Sequence, residues 1–347
     1  MRAVAYDEAG RIHLVEIDPH GDLPRGFARV QVTHSMISPG TETGTLVALR
    51  ERPAPTPAKT VHGYTASGLC TEVADGVDHV AVGDRAACYG GPYTRHCAEL
   101  MVPRHLVYRV PDKVSQPAAA SVGLGAIALH AYRRAEVGLG SVVVVQGLGV
   151  LGLLAAQYAA AGGCEGAAVD LLKGRLEMAR RVLPKHWRVM HAHDEDVAAA
   201  VDELTGGAGA DAVISTLPGR AASTETTRQA AEWLRMKGAL VTVGRADLNS
   251  SHGLLRRKEI EPKYVIAGGP GRYDERYERD GQDYPIGYVR WTEGRNMRAY
   301  LRLLELGLVQ IEPLITHTFP VERASEAFDQ IIDHPEQTIG VVLDWHI

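Results

Sequence analysis

Ser141-Val142-Val143-Val144-Val145-Gln146-Gly147-Leu148-Gly149-Val150-Leu151-Gly152 is the stretch on which the fold turns. An apolar run, Val142 to Val145, enters a glycine turn that opens a helical stretch, Val150 to Ala161. A second short strand, Ala167-Ala168-Val169, follows and ends at Asp170. This is one βαβ unit. The hexamer Gly147–Gly152 fits G-x-G-x-x-G, a weak signal alone and a strong one after a buried strand and before a helix. There the first glycine makes the tight turn, the second lets a pyrophosphate approach the backbone, and the third lets helix pack on strand.

The helix N-terminus then offers unpaired N–H groups and a positive dipole end to a phosphate. Val150 and Leu151 supply the first helical residues and Leu148 the turn between the glycines. Asp170 lies ~20 residues downstream, where a carboxylate accepts from a ribose 2′-hydroxyl and repels a 2′-phosphate. NAD is the expected cofactor. Lys173 and Arg175 follow closely enough to pair with a phosphate if Asp170 turned away, so NADP stays open. The strand ends Ser215-Thr216-Leu217 and Val243-Gly244-Arg245 are expected to line the nicotinamide half, since ligands sit at the carboxyl edge of such sheets.

Outward from this unit, strands at Ala212–Ile214, Leu240–Val243 and Tyr264–Ile266 alternate with helical segments near Leu171–Val182, Val197–Thr205 and Thr224–Met236. A parallel, doubly wound sheet is the economical arrangement. The first ~115 residues instead carry short Val-rich alternating runs split by Gly, Pro and Asp, which read as a small antiparallel β-barrel. Two helices, near Asn296–Leu306 and Glu322–Ile332, and a last strand, Thr338–Asp344, close the chain. The expected division is 1–118 with 269–347 as one domain and 119–268 as the other.

With 347 residues, 45% hydrophobic content and 23% charge, the chain suits two globular domains. A net charge of -5 offers no basic stripe for nucleic acid. There is no signal-peptide core and no ~18-residue apolar run, so no membrane partner and a cytoplasmic residence are expected. The four cysteines, Cys70, Cys88, Cys97 and Cys164, lack metal-ligand or C-x-x-C spacing and read as reduced and structural.

Gly63-Tyr64, Val82-Gly83-Asp84-Arg85, Gly123 to Ala128, the Gly147–Gly152 turn with Asp170, and Lys237-Gly238 before Leu240–Gly244 together resemble the medium-chain dehydrogenase/reductase superfamily over essentially the whole length. The resemblance implies a GroES-like catalytic domain made from both chain ends, a Rossmann domain between, and hydride transfer to or from nicotinamide. Zinc members carry a cysteine in an early loop and a Gly-His-Glu motif; here those stretches read Ile37-Ser38-Pro39-Gly40-Thr41-Glu42 and Gly63-Tyr64-Thr65. Ser38 and Tyr64 are poor zinc ligands, so no zinc is expected. His62, displaced by two positions from the motif histidine, reads as a structural or substrate-facing residue. The segments Pro270–Asp274 and Asp283–Glu293, with Asn296-Met297, are similar to a narrower zinc-less branch. Some of its members are fused to a second oxidoreductase domain and are associated with bacterial polysaccharide and sugar-derived metabolism.

Without a metal, hydrogen-bond donors must polarise the substrate oxygen. Thr41 matches the family's proton-relay hydroxyl, with Ser38 and Tyr64 beside it. Tyr64 serves as an acid/base only if neighbours lower its pKa from ~10. Five of the 13 tyrosines fall between Tyr273 and Tyr300, around a long loop with Arg272, Arg290, Trp291 and Glu293. Such a loop suits a polyhydroxylated ligand, and Arg272, Tyr273, Tyr284, Arg290 and Trp291 are its candidate contacts; a packing element or subunit contact is the other reading. The expected function is NAD-dependent oxidoreduction of a polar secondary alcohol or ketone of sugar, cyclitol or aminosugar type. An NADPH-dependent quinone or enone reductase and a catalytically silent NAD-binding protein are the alternatives. A homodimer through an edge strand such as Tyr264–Ile266 is expected of the fold class.

Overall fold

The computed structural model describes residues 1–55, 60–218, 221–244 and 252–346. It divides into two compact units, Met1–Ala126 with Gly268–Leu306 and Leu314–Ile347, and Ile127–Ala267 with Gly307–Pro313. The expected border after Ala118 precedes the helix Val122–Ala135, whereas the observed division falls inside it. Its first turn belongs with the outer unit because Gly123 and Gly125 let it press on aromatic rings. A Cβ at Gly123 would come within 2.4 Å of Tyr89, and one at Gly125 within 2.3 Å of Tyr300.

The inner unit is built on six parallel strands: β1 (Val142–Gln146), β2 (Glu165–Asp170), β3 (Arg188–His191), β4 (Ala210–Ser215), β5 (Leu234–Val243) and β6 (Pro262–Val265). Their order is 3-2-1-4-5-6, the doubly wound arrangement in which strand order reverses beside the first strand. β1 is buried at all five positions, as a strand covered on both faces must be. Helices α1 (Val150–Ala161), α2 (Lys173–Val182), α3 (Val197–Thr205) and α4 (Thr224–Trp233) connect them. Asp196 caps α3 through the amide of Ala199, and Gly206 ends it in the left-handed region at φ 61°. Ser223 and Thr226 form a reciprocal capping box on α4.

Two expectations change here. The helix read as Thr224–Met236 stops at Trp233, and Leu234–Met236 begins β5 instead, because Leu234 pairs with Ala210 and joins the buried core. β3 is an edge strand whose half-exposed Arg188-Val189-Met190-His191 gives no apolar run to read. At the opposite edge lies β6, with Tyr264 51% exposed.

The outer unit is rich in antiparallel pairing. A seven-stranded sheet runs Ile315–Pro320, Gly340–Asp344, Phe27–Ile37, Thr65–Val73, Arg85–Tyr89, Val107–Arg109, with Glu99–Pro103 also on Phe27–Ile37. A three-stranded sheet orders Ile12–Glu16, Arg2–Tyr6 and Thr60–Val61. Only the first pair of neighbours in the seven-stranded sheet is parallel. The chain thus has the expected two-part α/β fold class. All four cysteines are buried and free. Among the described residues no helix is long and apolar enough to cross a membrane.

α1 seats on β1 through a glycine contact that tolerates no side chain: a Cβ on Gly152 would lie 1.8 Å from the Gly147 carbonyl oxygen. Gly152→Ala is therefore expected to destabilise by about 1–3 kcal/mol through overpacking. Thermal denaturation would register this as a Tm several degrees lower, while Gly149→Ala, with open space at its Cβ, would leave Tm much closer to the parent.

Candidate active site

In the inner unit the turn after β1 is shaped for an anion. Gly147 sits at φ 91° and its amide donates to the Val169 carbonyl at 2.8 Å. Gly149 is the N-cap of α1, and a Cβ placed there meets nothing within 4 Å, a cradle of the kind a phosphate fills. Leu148, Val150 and Gly152 are buried, and Leu151 is half-buried. Asp170 ends β2 with one carboxylate oxygen accepting the Leu148 amide at 2.6 Å and the other accepting Leu171 and Leu172 at 2.7 and 2.9 Å. With a long contact from Arg175 as the second donor on the first oxygen, all four acceptor positions are engaged, and a hydroxyl bound here would take the place of that contact.

Arg175 pairs with the same carboxylate at 3.5 Å, and among the described residues its buried Nε has no partner, while Lys173 is exposed. The Thr216 hydroxyl donates to the Gly147 carbonyl at 2.9 Å, and Leu217 leans over the same glycine, 3.1 Å from where its Cβ would be. Val243 is half-buried and Gly244 exposed at φ 92°. Arg245 lies outside the described residues. The glycine cradle, the helix end and the anchored acid fit a dinucleotide.

In the outer unit, Ser38, Thr41 and Tyr64 come together. Ser38 follows the strand Phe27–Ile37, Thr41 starts the helix Glu42–Glu51, and Tyr64 precedes the strand Thr65–Val73. The Tyr64 hydroxyl donates to Ser38 Oγ at 2.6 Å. Burial pushes the Tyr64 pKa up, against the downward pull of its bonds to Ser38 and Thr41. The sequence required the opposite shift for a titrating acid/base, so Tyr64 is corrected to a hydroxyl that stays protonated and donates.

Behind this pair runs a buried polar chain that the sequence did not reveal. Glu42, 2% exposed, accepts the Ser38 amide at 2.9 Å on one oxygen and faces His96 Nε2 at 2.9 Å with the other. His96 Nδ1 meets Ser35 Oγ at 2.8 Å, and Trp345 Nε1 donates to that oxygen at 2.9 Å. Glu42 stood within the quoted loop without an assigned role, and nothing near His96 in sequence points to it. His62 is packed on Tyr6 at 4.3 Å between ring centres, with Phe328 at 5.8 Å. Among the described residues its buried Nε2 has no partner, and burial lowers its pKa to about 4.

The loop residues expected to bind substrate are largely committed elsewhere. Arg272 pairs with Glu278 at 2.5 Å and donates to the Gly91 carbonyl at 2.7 Å, with little of either side chain exposed. Expected as a substrate contact, it lies instead in a buried pair, because Tyr277 and Glu278 fold inward with the short helix Glu275–Glu278. Tyr273 is 72% exposed under the Arg272 guanidinium, Tyr284 donates to Asp274, and Arg290 stacks on Trp291 at 3.8 Å. Tyr277 stacks on His105 and donates to Thr292 at 2.8 Å, so much of this segment packs rather than rims.

Beside the Arg272 pair lies Glu293, fully buried, and among the described residues neither of its oxygens has a partner in hydrogen-bonding geometry. Its pKa is pushed up to about 9 by burial first and then by the Glu278 carboxylate, with Arg272 opposing. Its region is continuous with Tyr64 through Tyr89, whose ring stands edge-on to Tyr64 at 5.9 Å and near Gly268.

A zinc ion fits this place poorly. The donors at the two matched positions are hydroxyls bonded to each other, and Thr65 is spent on the Ala120 carbonyl and the Gly123 amide. Glu42 and His96 are engaged with one another, with Ser35 and with the Ser38 amide. Zinc asks for thiolate, imidazole or carboxylate in tetrahedral array.

The family of zinc-binding dehydrogenases matches residues 150–277. A putative D-xylulose reductase of Agrobacterium fabrum is 25% identical, with 98% of each chain covered. One of Rhizobium meliloti is 28% identical over 78% of each. The solved structure of galactitol-1-phosphate dehydrogenase from Escherichia coli superposes with a TM-score of 0.78 over 99% of this chain and 100% of that one, at 20% identity, and shares the fold. Residues 150–277 thus resemble the zinc-binding dehydrogenases, and the whole chain shares the fold of the solved polyol-phosphate dehydrogenase.

Because folded Glu293 holds its proton to higher pH than an unfolded glutamate, its ionisation opposes folding. Its contribution is complete below the ordinary carboxyl range and is lost as pH rises toward about 9. Glu293→Gln is expected to flatten the decline of Tm between about pH 5 and that value. A variant whose Tm falls as steeply as the parent's over this range would assign the titration to another group.

Proposed function

We propose that this chain is an NAD-dependent oxidoreductase that interconverts a polar secondary alcohol and its ketone, of sugar, cyclitol or aminosugar type, without a catalytic zinc ion. The reading rests above all on the Gly147–Gly152 cradle with Asp170 anchored beside it on the 3-2-1-4-5-6 sheet. Relatives named as D-xylulose reductases and as sorbitol dehydrogenases support the substrate class. The proposed cofactor contacts are Gly147 to Gly152, Asp170, Thr216, Leu217, Val243 and Gly244.

Bound nicotinamide accepts or supplies the hydride. The protein's own part concerns the substrate oxygen. The Ser38 hydroxyl donates to it, Tyr64 donates in turn to Ser38 Oγ, and the exposed Thr41 beside them links this relay to solvent, which supplies the proton that reduction takes up and receives the one that oxidation releases. Glu42 fixes the Ser38 backbone, which keeps the donors preorganised rather than reorienting during reaction. Arg175 beside Asp170 supports NADP as the second cofactor reading, since a guanidinium pairs well with a phosphate.

Fluorescence titration with NADH and NADPH tests the cofactor. The parent is expected to prefer NADH by about tenfold or more, and Asp170→Ala to lose that preference, as one hydrogen bond to a charged group implies. Because Asp170 also anchors three backbone amides, the ratio of the two affinities in one sample is the readout, insensitive to any unfolded fraction. NADPH preference in the parent would reverse the cofactor assignment. On a panel of polyols and ketosugars, Tyr64→Phe is expected to lower kcat by about 10²-fold with cofactor affinity intact; no turnover by the parent on any of them would favour a silent cofactor-binding protein.

A further inference from the structure

On the outer unit, Phe27–Ile37 and Gly340–Asp344 run antiparallel with His34 directly opposite Asp344. Strand alternation sends Ser35 and Trp345 to one side, where they bond to each other at 2.9 Å, and turns His34, Asp344 and His346 to the other. Asp344 Oδ1 there lies between two imidazoles. His346 Nδ1 is 2.6 Å from it, and His34 Nε2 is 4.0 Å away, too far for a hydrogen bond. One ligand atom from each residue lies within 4.8 Å of the others, and the two rings stand 5.1 Å apart. Among the described residues this is the sole such group of three.

We propose that His34, Asp344 and His346 bind one divalent transition-metal ion, of the zinc type, at a site separate from the Ser38–Tyr64 hydroxyls. Two imidazoles and a carboxylate form a donor set that suits zinc and its neighbours rather than magnesium or calcium. Atoms bound at 2.0–2.1 Å to a tetrahedral ion lie ~3.4 Å apart. The His34 separation of 4.0 Å therefore closes by a small ring movement, and the His346 separation opens by less than 1 Å. His34 is already oriented by a contact between its other nitrogen and Thr33 Oγ1 at 3.1 Å, the outer-shell support that metal-bound histidines use. Three protein ligands leave the fourth position to water, which fits the half-open surface at exposed His346. The ion clamps the end of the last strand to the strand that carries Ser35 and leads to Ser38.

The test is metal binding by chelator-treated protein. Calorimetry with Zn²⁺ and the visible absorption of Co²⁺ are expected to report one site per chain and a higher Tm on loading. His34→Ala and His346→Ala are each expected to weaken binding more than about tenfold, since outer-shell changes alone cost that much. His346 is exposed, so its variant keeps the fold. Ser38→Ala is expected to bind metal as the parent does. Absence of stoichiometric binding, or undiminished affinity in His346→Ala, overturns the site; binding lost in Ser38→Ala but kept in both histidine variants overturns it too, and moves the ion to the hydroxyl site.

Discussion

The Asp170 carboxylate ties together the turn and strand end on which the six-stranded unit depends. It stands at the end of β2 yet takes the Leu148 amide from the turn after β1, together with the amides of Leu171 and Leu172 that follow it. Three N–H groups that the turn would leave unsatisfied thus converge on one side chain. An unsatisfied buried donor costs about 1–3 kcal/mol. With the turn pinned, Gly152 can sit against the Gly147 carbonyl and α1 can aim its N-terminus at the space above Gly149. Strand order, glycine spacing and acid position are therefore parts of one arrangement.

In the other unit the corresponding role falls to Glu42. It is buried against His96 and holds the Ser38 amide, so the hydroxyl pair rests on a polar chain that extends through Ser35 to Trp345 on the last strand. A charged group this deep survives only when its partners surround it. The residues from Arg272 to Glu293 add a second buried group, in which Arg272 and Glu278 neutralise each other and Glu293 keeps its proton. The two groups approach each other at Tyr64 and Tyr89.

How much of this was legible follows from the range over which each signal acts. α1 was read to the residue because glycines bound an unbroken apolar run, and α3 because Asp196 and Gly206 cap it. β3 and the helix Glu42–Glu51 were missed, one because its residues are half-exposed at an edge, the other because Thr and Gly interrupt its period. The C-terminus of α4 was misplaced because Leu234 has its partner, Ala210, 24 positions earlier. Ser38, Thr41 and Tyr64 were found through a resemblance, and their hydrogen bond to one another confirms proximity without fixing a role.

By itself the sequence determined the two-part fold class and the glycine turn with its acid, because these depend on residue type at short spacing. Tertiary structure decided that Tyr64 holds its proton, that Arg272 is buried against Glu278, that Glu293 is neutral, and that His34 faces Asp344 across 310 positions. The physical reason is that charge state and ligand geometry depend on burial and on cross-strand neighbours, which exist only once the sheets have closed around these side chains.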